Sequence, residues 1–355
     1  MARTGMNLPV RIGKYELTKF LGHGCYGAVY AANDTLLDRT VALKLVTIGD
    51  PTNPQELASR LNEGVLQNRS QHRNVVQVHE VNFLLTPQGP VIGIAMDLVQ
   101  GGSLQDRLDE KFVSARDCIS YFEDILVGLE YLHTRHIIHR DLKPSNILLS
   151  QGRAKLTDFG LAGIVPQGEV LTGDAYVTHR APECFEPEHS YNVLTDIYAL
   201  GITLFRCVNN TRDWQGTLRK IPNVETVLQQ GKLVQTIGFE LYVPHELRKV
   251  VARATAADPA KRYQSVVEMQ RSLDSLKVAL DWRPLEYPLH WKALGCSKRN
   301  CSKKGDPDVC LLDVSATTVT FTRNRHKVSG YPKRHTNADG ALAAVYECIS
   351  STTVD

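Results

Sequence analysis

The stretch His139-Arg140-Asp141-Leu142-Lys143-Pro144-Ser145-Asn146 decides how the rest of the chain is read. The apolar pair Ile137 and Ile138 precedes it, and Ile147 and Leu148 follow. The polar residues therefore sit on a short turn anchored at both ends by apolar segments. Such a turn brings a carboxylate, an ammonium and an amide close together. Moving a phosphoryl group uses those three types. Asp141 can accept a hydroxyl proton, Lys143 can neutralise a phosphate oxygen, and Asn146 can ligate a hard cation.

The stretch resembles the catalytic loop of protein kinases. The resemblance implies an α+β, two-lobed fold with a β-rich small lobe and a helical large lobe. It also implies ATP as phosphoryl donor and Mg²⁺ as metal, with Mn²⁺ as a substitute. Asp141 would be the base that orients the acceptor hydroxyl, with Lys143 beside it.

Working upstream, Tyr15-Glu16-Leu17-Thr18-Lys19-Phe20-Leu21 alternates as a strand does. It runs into Gly22-His23-Gly24-Cys25-Tyr26-Gly27. Three glycines at this spacing let a hairpin backbone lie against phosphate oxygens. Alone, the pattern also fits a dinucleotide fingerprint, but that fingerprint opens a helix. Here Ala28-Val29-Tyr30-Ala31 continues as strand and turns at Asn33-Asp34.

The next strand, Thr40 to Val46, carries Lys44 in an apolar run, where an unpartnered ammonium would be costly. Glu63, 19 residues on in the amphipathic stretch Pro54 to Ser70, is the expected counter-ion. By resemblance, Lys44 touches the α- and β-phosphates while Glu63 holds it. The plainer reading is a snorkelling lysine and an ordinary helix glutamate. Val91 to Val99 reads as an apolar strand and hinge. There the resemblance sets Met96 beside adenine and has backbone atoms of Asp97 and Val99 bond the base. It adds Val29, Ala42 and Leu148 to the nucleotide-binding residues. The alternative is an edge strand and a turn.

Downstream, Cys118 to His133 has helical spacing, with Ile119, Phe122, Ile125, Leu126, Leu129 and Leu132 on one face. Ala154-Lys155-Leu156-Thr157 reads as a strand ending in Asp158-Phe159-Gly160. Asp158 lies 17 residues after Asp141 and would share Mg²⁺ with Asn146. Ala181-Pro182-Glu183 closes an activation loop of 26 residues counted from Asp158. Glu183 is expected to be buried against Arg262. Asp196, opening an apolar helix, is assigned by the resemblance to bracing the catalytic turn. The resemblance spans Lys14 to Leu280, and Lys143-Pro144 points to the serine/threonine class.

Two departures stand out. Gln67 occupies a place where the family usually has a core leucine, with Gly64 in the preceding turn. Ala175 and Tyr176 stand where serine/threonine kinases read Gly-Thr, while Thr178 lies two residues nearer to Ala181. Thr178 is expected to be structural, and Thr172 and Tyr176 are the candidate phosphorylation sites, with Arg140 as the partner of the phosphate.

These parts divide the chain into an extension, 1–13, a kinase domain, 14–281 (small lobe 14–98, large lobe 99–281), and an accessory unit, 282–355. Proline after Trp282-Arg283 is expected to end the last kinase helix. Beyond it, Cys296, Cys301 and Cys310, with His290, His326, His335 and Cys348, are weighed as zinc ligands against small buried cysteines. Val309 to Thr322 is β-like and Ala338 to Ile349 helix-like. A basic cluster between them, Arg323, Arg325, His326, Lys327, Lys333 and Arg334, suits nucleic acid or an acidic partner. The plainer reading is a tail that docks on the kinase or recruits substrate.

Composition agrees with an ordinary soluble protein: 43% hydrophobic and 22% charged residues in 355. At that length two lobes or domains are expected. Residues 284–355 carry 10 Lys/Arg against 7 Asp/Glu, leaving 31 of each in the first 283, so the net charge of +3 lies wholly in the tail. No apolar run approaches the ~20 residues of a membrane helix, and the first residues do not resemble a secretion signal. A cytoplasmic serine/threonine protein kinase acting on protein substrates is the expectation. The alternatives are a kinase-like ATP-binding module whose tail binds a partner or nucleic acid, and a kinase for small molecules.

Overall fold

The computed structural model describes residues 8–24, 27–48, 71–158, 178–186, 191–287, 289–295, 308–315, 318–330, 333–335 and 337–354. Two compact units emerge, one drawn from Met1–Ser103 and Val127–Leu171, the other from Leu104–Leu126 and Thr172–Asp355.

The first unit is built on an antiparallel sheet of β1 (Val10–Ile12), β2 (Tyr15–Gly24), β3 (Gly27–Asp34), β4 (Arg39–Thr47), β5 (Val78–Thr86) and β6 (Gly89–Met96). The strands lie in the order β1-β2-β3-β4-β6-β5. Because β1 pairs with β2, part of the expected N-terminal extension belongs to this sheet. Alternation along β4 explains both faces. Val41, Leu43 and Leu45 enter one apolar cluster with Leu17, Tyr30 and Val91. Ala42 and Val46 enter a second with Val76, Val78, Ile92, Ile94 and Met96. Lys44 thus shares a face with the second cluster, since side chains two apart point the same way.

An ionic clamp ties β5 to the strands at the other side of the sheet. Lys14 Nζ lies 3.0 Å from Asp34 and also pairs with Glu80. Tyr15 donates its hydroxyl to the same Glu80 carboxylate at 2.9 Å. Bonding to Lys14 holds Glu80 below the usual carboxylate range.

The turn at 139–146 leads into a hairpin of β7 (Ile147–Ser150) and β8 (Arg153–Leu156). Its two linking residues, Gln151 and Gly152, have φ of 50° and 76°, the hand that suits a two-residue hairpin. Backbone bonds sew the hairpin to its surroundings: Val76 N–H to Leu156 O, and Leu149 N–H to Gly102 O, each 2.8 Å.

Helices dominate the second unit: α1 (Leu104–Glu110), α2 (Ala115–His133, whose last seven residues count with the first unit), α3 (Val193–Val208), α4 (Trp214–Arg219), α5 (Val224–Gln229), α6 (Leu233–Ile237), α7 (His245–Ala254) and α8 (Val266–Asp274). Nearly all of α3 is buried. Asn192 caps it by accepting from the amides of Leu194 and Thr195, and Thr195 returns a bond to the Asn192 amide.

The same unit includes a C-terminal sheet: β9 (Leu280–Glu286), β10 (His290–Gly295), β11 (Asp308–Val314), β12 (Thr318–Arg323), β13 (His326–Lys327) and β14 (Lys333–Arg334), followed by α9 (Ala338–Thr352). The β-like and helix-like segments of the tail therefore form as strands and a helix. The expectation that Pro284 ends a helix is overturned. The last helix before it stops at Asp274, and Pro284 lies within β9. β9 is an edge strand, where a residue lacking an N–H breaks no ladder on its open side.

Trp291, Leu312 and Phe321 stand opposite one another on three adjacent strands, all buried. Trp291 is ringed by Phe112 at 5.2 Å, Tyr242 at 5.8 Å and Tyr346 at 6.3 Å. Arg283 pairs with Asp117 at 2.9 Å, and the Arg116 amide donates to Asp281 at 3.2 Å. The tail is thus packed onto helical residues of its own unit. Cys310 and Cys348 are buried in its core, and no metal-binding group of three His, Cys, Asp or Glu gathers among the described residues. Cys296 and Cys301 lie outside them. No helix among the described residues is long and apolar enough to cross a membrane.

Candidate active site

The turn that opened the sequence reading is a strained one. Arg140 has φ 65°, a left-handed conformation rare for a long side chain, and Asp158 has φ 55°. Between them Pro144–Asn146 makes one turn of 3₁₀ helix. This folding sets Asn146 behind Asp141. The Asn146 amide nitrogen donates to the Asp141 backbone oxygen at 2.8 Å and to its Oδ2 at 2.6 Å. Lys143 Nζ approaches the same Oδ2 at 3.0 Å. Asn146 therefore has its amide oxygen left to meet a cation.

The Thr157 amide donates to Asn146 O at 3.1 Å, which brings Asp158 beside the turn. Lys44 Nζ reaches Asp158 Oδ1 at 2.8 Å, across 114 residues of sequence. Lys44, Asp141, Lys143, Asn146 and Asp158 are thereby brought to one place. Glu63, the expected partner of Lys44, lies outside the described residues, as do Phe159, Gly160, Thr172 and Tyr176. Among the described residues Lys44 is paired with Asp158, and the expected pairing with Glu63 lies outside them.

Electrostatics separates the two carboxylates. Burial pushes the Asp141 carboxyl up to about 6, against the pull of Lys143 and Asn146. Burial acts on Asp158 the same way, but Lys44, together with Lys143 and His139, outweighs it and holds that carboxyl below its ordinary value. One carboxylate is poised near neutrality, the other firmly ionised.

The predicted nucleotide-binding residues on β2, β3 and β4 share one sheet face. Gly22, Val29 and Lys44 are opposite one another on β2, β3 and β4. Ala42, two residues from Lys44, faces Met96, which in turn faces Val78. Val29, Leu98, Val99 and Leu148 pack half-buried against the Ala42 and Met96 cluster. A Cβ on Gly22 would meet nothing within 4 Å, so the strand leaves open space in line with the lysine. A Cβ on Gly27 would lie 1.8 Å from Leu45 O, so only glycine fits where the hairpin crosses β4. Gly24 pairs with Gly27 in that hairpin. An apolar floor, an open glycine strand, an ammonium and two oxygen donors fit a nucleotide triphosphate and a hard cation.

Asp97 does more than the sequence suggested. Its amide donates to Gln77 O at 2.9 Å. Its carboxylate lies 3.0 Å from His79 Nε2 and 3.4 Å from Lys155 Nζ. Neither partner was singled out from sequence, since no motif marks a histidine at a strand irregularity.

In the second unit, Arg262 grips both oxygens of Glu183 at 2.6 and 2.7 Å, the expected pair, although Glu183 is half-buried and it is Arg262 that is buried. Thr178 is buried, accepting from Trp214 Nε1 at 3.0 Å, in keeping with a structural role. Asp196 is buried at the start of α3.

The strand-rich N-terminal sheet and the helical unit are consistent with the two-lobed α+β fold of protein kinases. The model of the family described as "Protein kinase domain" matches residues 15–272, and the chain belongs to the protein kinase family. Residues 273–355 lie outside that match. Among curated proteins it is similar to the serine/threonine-protein kinase PrkC of Bacillus subtilis, 27% identical over 276 residues, covering 76% of this chain and 41% of that protein. It is similar to the probable serine/threonine-protein kinase PknB of Lactococcus lactis, 30% identical over 287 residues, covering 77% and 44%. A mouse relative, serine/threonine-protein kinase SIK1, is 28% identical over 263 residues, covering 73% and 32%. The chain spans about two fifths of the length of the first two.

Proposed function

We propose that this chain transfers the γ-phosphate of ATP to serine or threonine hydroxyls of protein substrates. One observation carries the reading: a buried carboxylate, Asp141, stands with Lys143 and Asn146 beside an ionised Asp158 that Lys44 already holds. The hydroxyl oxygen of the substrate attacks the γ-phosphorus, the bond to the β–γ bridging oxygen breaks, and ADP departs. The hydroxyl proton passes to Asp141. Lys143 offsets charge on the transferred group, and Lys44 offsets it on the α- and β-phosphates. Asn146 and Asp158 would hold Mg²⁺, which would supply positive charge to offset that developing on the phosphates. Positioning and electrostatics supply most of the rate.

Phosphorylation at Thr172 or Tyr176, with Arg140 as partner, is proposed as the control. Phosphopeptide mapping after incubation with ATP tests it, and an unmodified segment between Gly160 and Ala181 refutes it. The function itself is tested with radiolabelled ATP and a protein acceptor, followed by phosphoamino-acid analysis. Label on serine and threonine, lost in Asp141→Ala, is expected. Equal labelling by both proteins would remove the enzyme reading, and label on tyrosine alone would remove the class.

A further inference from the structure

The two faces of the C-terminal sheet differ in what covers them. Trp282, Trp291, Leu312, Val319 and Phe321 lie on the buried one. There Trp282 Nε1 donates to Thr352 of α9 at 2.9 Å, and the Trp291 ring meets that of Tyr346. Lys333, opposite Val319, pairs with Glu347 of the same helix at 2.6 Å.

Strand register assigns the other face. Lys292, Leu311, Thr322 and Lys327 stand opposite one another on β10, β11, β12 and β13. Leu294 faces Val309, each two residues along from that row, and Arg334 faces Thr318, four residues along from Thr322. Side chains two apart point the same way, so all of these share one face. Leu294 is 47% exposed and Val309 40%, and the three cations are exposed as well.

The basic cluster of the sequence is thereby split. Lys333 turns to α9, whereas Lys327 and Arg334 reach the open face, where Lys292 joins them. None of these three has an ion partner among the described residues. Arg283 and Asp281 at the β9 edge engage each other at 3.1 Å. Against the three cations stands Asp313, opposite Thr320 and 3.5 Å from His290. The result is an aliphatic patch of Leu294, Val309 and Leu311 with cations around it, the layout of a docking surface with a polar rim.

Spacing and chemistry narrow the partner. Lys292 and Lys327 are three strand spacings apart, about 14 Å, and Arg334 lies about as far along the strands from the row of Lys327. No single phosphate or carboxylate bridges such gaps, so the anion is a chain. A nucleic acid would stack bases on aromatic rings, and the paired residues of this face include no Phe, Tyr or Trp. Phosphates also gain nothing from exposed leucine and valine. A polypeptide brings carboxylates and apolar side chains together.

We propose that the open face of the C-terminal sheet docks an acidic protein segment, whose aliphatic side chains cover Leu294, Val309 and Leu311 while its carboxylates meet Lys292, Lys327 and Arg334. These residues lie outside the matched kinase domain, so the surface is this chain's own addition. Docking there is independent of phosphotransfer and can be measured without ATP.

Fluorescence anisotropy of the full chain tests it, using short labelled peptides of Glu and Leu, of Lys and Leu, and of Glu and Ser. A single-stranded and a duplex oligonucleotide are titrated alongside at the same salt concentration. The Glu/Leu peptide should bind at least about tenfold more tightly than each of the others. Lys292→Glu, Lys327→Glu and Arg334→Glu combined should weaken it at least about tenfold, and Leu294→Ser with Val309→Ser about fivefold. Lys292→Gln, Lys327→Gln and Arg334→Gln, made singly, should each weaken it about two- to threefold and leave the melting temperature in place, as exposed positions do. Unchanged binding in the charge variants overturns the proposal, as does an oligonucleotide bound as tightly as the Glu/Leu peptide. A Glu/Ser peptide that binds equally well also overturns it, since charge alone would then hold the anion. So does a chain that binds none of these probes.

Discussion

Two regions of this molecule set a carboxylate next to a cation, half-buried Glu183 and buried Asp141, and they do so in opposite ways. At Glu183, Arg262 offers a bidentate fork, and its remaining donors reach Ala256 O at 2.7 Å and Leu194 O and Ala257 O at 3.1 Å. All five guanidinium N–H groups are used. At Asp141, Lys143 and Asn146 both reach Oδ2, yet burial still drives the carboxyl up to about 6. The backbone tells the same story, since Arg140 and Asp158 are held at positive φ. A saturated pair is scaffold. Chemistry needs a charge whose surroundings leave it something to gain from a substrate.

The largest expected effect separates those roles. Asp141→Asn should lower phosphotransfer by roughly 10²–10⁴-fold, the range of a lost general base. It should not lower the melting temperature. Arg262→Ala should do the reverse to stability, costing about 3–5 kcal/mol in denaturant unfolding by removing a fully buried guanidinium and leaving half-buried Glu183 without it. If Arg262→Ala proves harmless, the contrast fails.

A comparable loss, about 3–5 kcal/mol, is expected for Trp291→Ala, which removes the centre of the aromatic packing between the C-terminal sheet and Phe112 and Tyr242. Cleavage of the tail by limited proteolysis should then precede loss of the helical signal. A tail that is merely tethered would show neither change.

Linkage gives the next test. A carboxyl raised from 3.8 to about 6 in the folded protein penalises folding once it is ionised there. Stability is unpenalised below about pH 4 and is lost as pH rises through about 6, by up to about 3 kcal/mol. Asp141→Asn should therefore be more stable than wild type at pH 8, with the two converging near pH 4. The smallest effect is at the Lys14 clamp, where Glu80 is held below its ordinary value. Its contribution is present above the unfolded carboxyl range and lost as pH falls, and solvent screening keeps it under about 1 kcal/mol. Glu80→Gln should cost that little at pH 7 and nothing near pH 3.

How much of this was legible beforehand differs residue by residue. Alternation in β4 told which residues flank Lys44, and the motifs placed Asp158 and Asn146 in one function. That Lys44 meets Asp158 was not legible, because sequence spacing does not fix the path of the chain. Pro284 was misread because proline stops helices and tolerates edge strands alike, and only pairing reveals which applies. His79 gave no signal, since a bulge is a property of two strands together. Cys310 and Cys348, whose spacing lacks a CxxC knuckle, are buried in an apolar core, as small thiols often are.

The central claim is that Lys44, distant in sequence, works with Asp158 as part of one phosphoryl-transfer site. Single-turnover label transfer by Lys44→Met, Asp158→Asn and the double variant measures that directly. Residues acting as a unit lose little more together than the worse single variant, so the double loss should match it within about threefold. Losses that multiply in full would show two independent groups and contradict the account.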